Sequence, residues 1–151
     1  MTLQNQYRAL KIGACFVVVF VAVHLMGFQE RSWPLITAMV LMIPAQDHHH
    51  LFRRAGERCA GTLLGALIGV VALQVEKDLS FSAMLPLCFL GAVFAAYYSR
   101  SKYPYAAVIV AVTMAVVVNA PAGDLHIAML RVAGVLIGIV ISSAMGWALR
   151  L

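Results

Sequence analysis

The sequence predicts an all-α membrane protein: six transmembrane helices arranged as two inverted three-helix repeats. Three observations lead there. Of the 151 residues, 63% are hydrophobic and only 11% charged, with a mean hydropathy of +0.91. Soluble domains are about 45–50% apolar and about 25% charged, so a water-soluble fold could not hide this much apolar surface. The apolar residues fall into six stretches separated by short polar links. Finally, the pattern R-x-A-G-x-L-x-G occurs twice, 73 residues apart (58 to 131), close to half the chain.

Crossing the hydrocarbon core takes about 20 apolar residues as a helix, and helices are expected because lipid offers backbone groups no partners. The first stretch, Leu10–Phe28, follows Tyr7, Arg8 and Lys11. It is too long for a signal-peptide core, and no small-residue cleavage site precedes "FQERSW", so it reads as a retained span. The second, Trp33–Gln46, is the shortest and runs into Pro44, so it kinks, tilts or continues toward His50. Arg54–Val75, Phe81–Ser99, Tyr105–Ala120 and His126–Leu149 complete the set, with five spans the alternative count. Pro44 and Pro121 are placed to bend or end helices. The links leave no room for a soluble domain. Cys15, Cys59 and Cys88 lie in apolar stretches without C-x-x-C spacing and read as small packing residues.

Basic residues set the orientation. With the N-terminus inside, Arg8, Lys11, Arg53, Arg54, Arg58, Arg100, Lys102 and Arg150 are cytoplasmic, against Arg31, Lys77 and Arg131 outside. That asymmetry places both termini of a multi-pass inner-membrane protein in the cytoplasm. The net charge of +5 therefore serves topology and does not mark a nucleic-acid partner. Trp33, Tyr103 and Trp147 fall near span ends, where aromatic belts form.

The repeat aligns Arg58-Cys-Ala-Gly-Thr-Leu-Leu-Gly65 with Arg131-Val-Ala-Gly-Val-Leu-Ile-Gly138. An aromatic-proline pair opens a span before each copy, Trp33-Pro34 and Tyr103-Pro104. Each half, about 7–75 and about 81–150, then holds three helices. Three is odd, so the second half enters from the opposite side, the inverted build of many transporters, whose sites lie where the halves meet. At about 100° per residue, Gly61, Gly65 and Gly69 lie at about −60°, −20° and +20° from Arg58. Gly134, Gly138 and Ser142 stand likewise to Arg131. Small-xxx-small rows let helix backbones approach closely, so both arginines should face protein or a watery cavity.

An arginine inside a membrane is a site hypothesis by default, and its planar fork of donors matches a carboxylate. Arg58 and Arg131 are thus candidate substrate-binding residues, one near each membrane face. Arg131, seven residues beyond the helix-cap candidate Asp124, is the deeper. A plainer role for Arg58 is snorkelling to the interface or pairing with Glu57. Thr62 and Thr113 could line the path, as could Thr37, although satisfying helix carbonyls is the simpler use of a membrane threonine. Glu57 and His24 are the proton-coupling candidates; the simpler readings are an i−4 pair of Glu57 with Arg53 and a histidine hydrogen-bonded between helices. Asp47-His-His-His50 offers metal-ligand types, but adjacent residues seldom converge on one ion, so neither metal nor cofactor is expected. No nucleophile–base spacing, phosphate loop or carboxylate pair appears, so an enzyme is not expected.

The stretch from Trp33 to Pro44, the short basic loop after it and "R58-x-x-G-T-x-x-G" resemble the fusaric acid resistance and aromatic acid exporter (FUSC-like) family, with plant aluminium-activated malate channels more distant. The likeness runs from Tyr7 to the sixth span and is most specific from Trp33 to Gly69. It implies a six-helix module that exports or conducts small organic anions, aromatic carboxylates among them, and that assembles with a second copy. Larger members carry two modules, a cytoplasmic domain or both. This chain, ending at Leu151, is expected to work as a homo-oligomer, a dimer or larger, or within a larger system. The alternatives are a non-transporting oligomeric scaffold or partner subunit, with glycine rows joining copies and the basic loop docking a partner or anionic lipid, and an anion channel.

Overall fold

A computed structural model of the chain describes residues 3–44, 47–100, 102–119 and 125–149. Gln46, Ala120, Pro121, Asp124 and Arg150, each given a part in the sequence reading, lie outside the described residues. Six α-helices follow in order: α1 (Leu3–Leu25), α2 (Ser32–Met42), α3 (His48–Asp78), α4 (Phe81–Tyr98), α5 (Pro104–Val118) and α6 (Leu125–Ala148). No strand occurs among the described residues.

The boundaries have local causes. α1 ends at Gly27, whose φ of +63° is left-handed; the Gly27 N–H bonds to the His24 carbonyl and the Phe28 N–H to the Val23 carbonyl. This pair of bonds is a glycine C-terminal cap. α2 stops two residues before Pro44, and the Arg8 guanidinium donates to the Ile43 carbonyl at 2.7 Å. α3 begins earlier than expected. Asp47 Oδ1 accepts the His50 N–H at 2.6 Å, a side-chain N-cap, so the anticipated basic loop is the first turns of a helix 31 residues long. α5 starts at Pro104, where the missing N–H does no harm, and closes where Asn119 Nδ2 donates to the Ala115 carbonyl.

Among the described residues, four helices are long and apolar enough to cross a membrane, within α1, α3, α4 and α6. α2 and α5, at 11 and 15 residues, are shorter. Their lengths are about 16 and about 22 Å against a core of about 30 Å. Large apolar side chains such as Phe16, Phe20, Leu67, Phe89 and Val140 are exposed on the helices, as on a surface whose solvent is lipid.

The chain divides into two compact units, residues 57–132 and the remainder. The divisions fall inside α3 and α6, not between the sequence repeats. In the unit of residues 1–56 and 133–151, which comes first in the chain, α1 packs on α2. Cys15, Val19 and Val23, one turn apart, are buried with Ala38, Leu41 and Met42 of α2 and Leu51 and Ala55 of α3. Ile137 and Ile141 of α6 lie against the same core. In the second, α4 packs on α5, and Leu73 of α3 is buried with Val117. Each unit thus joins the first two helices of one repeat to the glycine-bearing part of the other repeat's third helix.

Candidate functional site

The glycines determine which helices meet. A Cβ on Gly61 would lie 2.8 Å from Ile109 Cβ, one on Gly65 2.5 Å from the Val110 carbonyl oxygen and 2.8 Å from Thr113 Cβ, and one on Gly69 2.7 Å from Val117 Cβ. α3 therefore lies on α5 at backbone contact, and the two run in the same direction. In the other unit, a Cβ on Gly134 would lie 3.1 Å from Trp33 Cβ, and one on Gly138 2.7 Å from the Pro34 carbonyl and 2.8 Å from Thr37 Cβ. α6 lies on α2 in the same manner. Thr113 answers to Thr37 and Val110 to Pro34, an offset of 76 residues (37 to 113). The aromatic-proline pairs open α2 and α5, but the packing register places Pro34 opposite Val110, not Pro104.

Both candidate arginines reach α5 within the same unit. Arg58 is buried, 6% exposed, and its Nη1 donates to the Tyr105 hydroxyl at 3.2 Å. Arg131 is half-buried, and its Nη1 donates to the Val116 carbonyl at 2.6 Å. Its Nε is also buried and has no acceptor among the described residues. Tyr105 and Val116 stand eleven residues apart, so the two contacts lie about 16 Å apart along α5. Neither guanidinium is turned out among the exposed apolar side chains.

Glu57, adjacent to Arg58, is buried. Thr62, one turn beyond, is 1% exposed and its hydroxyl has no partner among the described residues. Thr113 is half-buried against Gly65, and Thr37 is fully buried against Gly138. His24 stands apart from this group. It is exposed at the end of α1, its Nδ1 lies 3.0 Å from Arg31 Nη1, and Phe20 stacks on its ring at 6.4 Å. Guanidinium only donates, so Nδ1 must be the acceptor. Asp47 caps a helix, and the described residues hold no cluster of three metal-ligating side chains. The three cysteines are free thiols, Cys15 in the core of its unit. Tyr105 was not singled out by the sequence reading; its only signal is a place in the first turn after Tyr103-Pro104.

The site thus offers a buried guanidinium bonded to a tyrosine hydroxyl at one end of α5, preceded in the chain by a buried carboxylate, and a second guanidinium with a spare buried donor near the other end. Residues 16–145 match the fusaric acid resistance protein-like family. The chain is 33% identical over 128 residues to the inner membrane protein YeeA of Escherichia coli strain K12, a match covering 85% of this chain and 36% of that protein. No solved structure matches. With the family's pattern running from the first helix to the last, the chain belongs to the fusaric acid resistance protein-like family of membrane proteins.

Proposed function

We propose that the chain is an inner-membrane transport module for organic anions, aromatic carboxylates among them, with Arg58 and Arg131 as two successive binding stations along α5. One observation carries the reading: two arginines, each on a helix long and apolar enough to span a membrane, are buried or half-buried and bond to opposite ends of one short helix. The roughly 16 Å between their contacts exceeds the reach of a small carboxylate, so an anion engages one guanidinium and then the other. Arg131 retains a buried donor for this, and Thr62 a buried hydroxyl. Glu57, buried and next to Arg58 in the chain, is the proton-coupling candidate in this reading, and no catalytic step falls to the chain.

The inverted repeat belongs to the same proposal. α2 and α5 are the second helices of their halves, and both are short. Short apolar segments at matching positions of two halves point to the binding region of a transporter. The matching registers of Gly65 on Thr113 and Gly138 on Thr37 support a shared plan, and six alternating crossings leave both termini in the cytoplasm. Because the glycine rows are filled within each unit, association between copies would use another surface.

The test is carboxylate flux in proteoliposomes, with folding verified for each variant. Arg131→Gln and Arg58→Gln should each lower flux about tenfold or more, the value of a hydrogen bond to a charged group. Flux equal to the parent's in both variants removes the arginine stations. Currents that do not saturate with anion concentration would assign the path to a channel.

A further inference from the structure

A trough of about 540 Å³ runs along α4 beside α3, lined by Ile68, Leu87, Leu90, Gly91, Phe94 and Tyr97 among others. Gly91 makes its floor: a Cβ there would meet the Met114 sulfur at 2.5 Å and Ile68 Cγ2 at 3.3 Å. Larger residues flank this gap, so the notch follows from the sequence. From Leu87 to Tyr97 is ten residues, about 15 Å of helix. That is half of the hydrocarbon thickness of about 30 Å, so the trough has the length of one leaflet.

Its end is not apolar. Phe94 and Tyr98 meet at 4.5 Å with their rings tilted by 40°, and Tyr97 meets Tyr98 edge-on at 5.5 Å, an aromatic collar of the kind found at headgroup level. Beyond it Arg100 and Lys102 are exposed, with Lys102 Nζ 5.8 Å from the centre of the Tyr103 ring. Arg100 follows Tyr97 by three residues and so lies on the same side of the closing turn. A one-leaflet apolar trough, then aromatic rings, then two cations is the complement of a lipid with a negative headgroup.

We propose that this trough is a specific site for an anionic phospholipid, its acyl chain along Leu87–Tyr97 and its phosphate held by Arg100 and Lys102. A second copy of the chain is the poorer occupant. Twofold pairing across α4 would bring the same patch from each copy together, setting the same two cations against each other with no acid beside them in sequence. The proposal is independent of the transport reading.

The experiment uses the full chain in vesicles. In a Trp33→Phe, Trp147→Phe background, Tyr97→Trp places a fluorophore at the mouth of the trough, and Phe16→Trp places one on the exposed face of α1. Quenching by brominated phosphatidylglycerol and by brominated phosphatidylcholine is compared. At residue 97 the anionic lipid should associate about fivefold or more tightly, the worth of one well-placed surface cation. At residue 16 the two should be equal. Arg100→Gln with Lys102→Gln should abolish the preference at 97 while leaving quenching by phosphatidylcholine unchanged. Equal quenching by both lipids at 97, or a preference that survives the double substitution, overturns the proposal. So does quenching by either lipid that falls as protein density rises, which would assign the trough to another copy.

Discussion

Residues 58–69 and 131–142 begin from the same pattern and diverge in what they do with it. The backbone approach is duplicated: Gly65 and Gly138 meet a carbonyl oxygen and a threonine Cβ at nearly the same separations. The polar chemistry is not. Arg58 is buried and bonds to a side-chain hydroxyl on the helix its glycines touch. Arg131 is half-buried, and although Gly134 and Gly138 lie on α2, it bonds to a backbone carbonyl of α5. The third small residue differs too. Gly69 meets Val117, whereas Ser142, fully buried, returns its hydroxyl to the Gly138 carbonyl at 2.6 Å. Packing and chemistry are therefore separable in this fold, and each can be broken without the other.

The largest effects should come from the shared part. Gly65→Ala and Gly138→Ala each put a methyl against a carbonyl oxygen, and backbone cannot yield as a side chain can. Each should destabilise by about 3 kcal/mol or more, the upper range of overpacking, read as a fall in melting temperature of the detergent-solubilised protein. Gly13→Ala and Gly56→Ala meet nothing within 4 Å and should be neutral or stabilising by up to about 1 kcal/mol. If Gly65→Ala alone is tolerated, the two packings are not equivalent.

Next in size is the unshared part. Arg58→Met should lower flux about tenfold or more, as a hydrogen bond to a charged group is lost. Stability should fall by about 1–2 kcal/mol, because the Tyr105 hydroxyl loses its charged donor while an apolar side chain of similar length keeps the packing. A steep loss of melting temperature with flux retained per folded molecule would make Arg58 a structural residue and erase the contrast with Gly65.

What the sequence made legible follows the same division. Six apolar stretches, the glycine face and the arginine beside it are periodic features of single helices, and the structure has helices in all six places. The partner of each face was not legible. Periodicity records which side of α3 is small, not that α5 will cover it, and nothing in Gly138 names Thr37. The proline pairs stand 70 residues apart (34 to 104), but prolines mark where helices can start, and the contact register is set by side-chain volume further along. The first turns of α3 were obscured because Asp47, a cap, sits among three histidines that resemble a loop. The Arg58–Tyr105 bond joins residues 47 apart, a distance no local pattern spans.

A smaller effect tests the third position of the row. Gly69→Ala places its methyl against Val117 Cβ and Cγ1, and of these two contacts Val117→Ala removes the one with Cγ1. It should destabilise by about 1–2 kcal/mol, and combined with Val117→Ala the pair should cost about 1 kcal/mol less than the sum of the singles. The same rescue should fail for Gly65→Ala with Val110→Ala, because there the obstacle is the Val110 carbonyl, which the substitution leaves in place.

The smallest predicted effect is at Tyr105, and it decides how the two arginines differ. Guanidinium has five N–H donors, and the tyrosine hydroxyl takes one of them at 3.2 Å, the long end of a useful bond. Tyr105→Phe removes that acceptor while keeping the ring that packs in the first turn of α5. Stability should fall by about 1 kcal/mol or less, and the apparent KM for anion should move less than about threefold, since the charge stays and a donor is released toward the ligand. Arg131 bonds to a backbone carbonyl that no side-chain substitution can delete, so an equivalent release cannot be engineered there. A loss of flux with Tyr105→Phe as large as that with Arg58→Gln would mean that the hydroxyl, and not the guanidinium, meets the anion at this end of α5. The contrast between the stations would then lie in the helix they share, not in the motif they repeat.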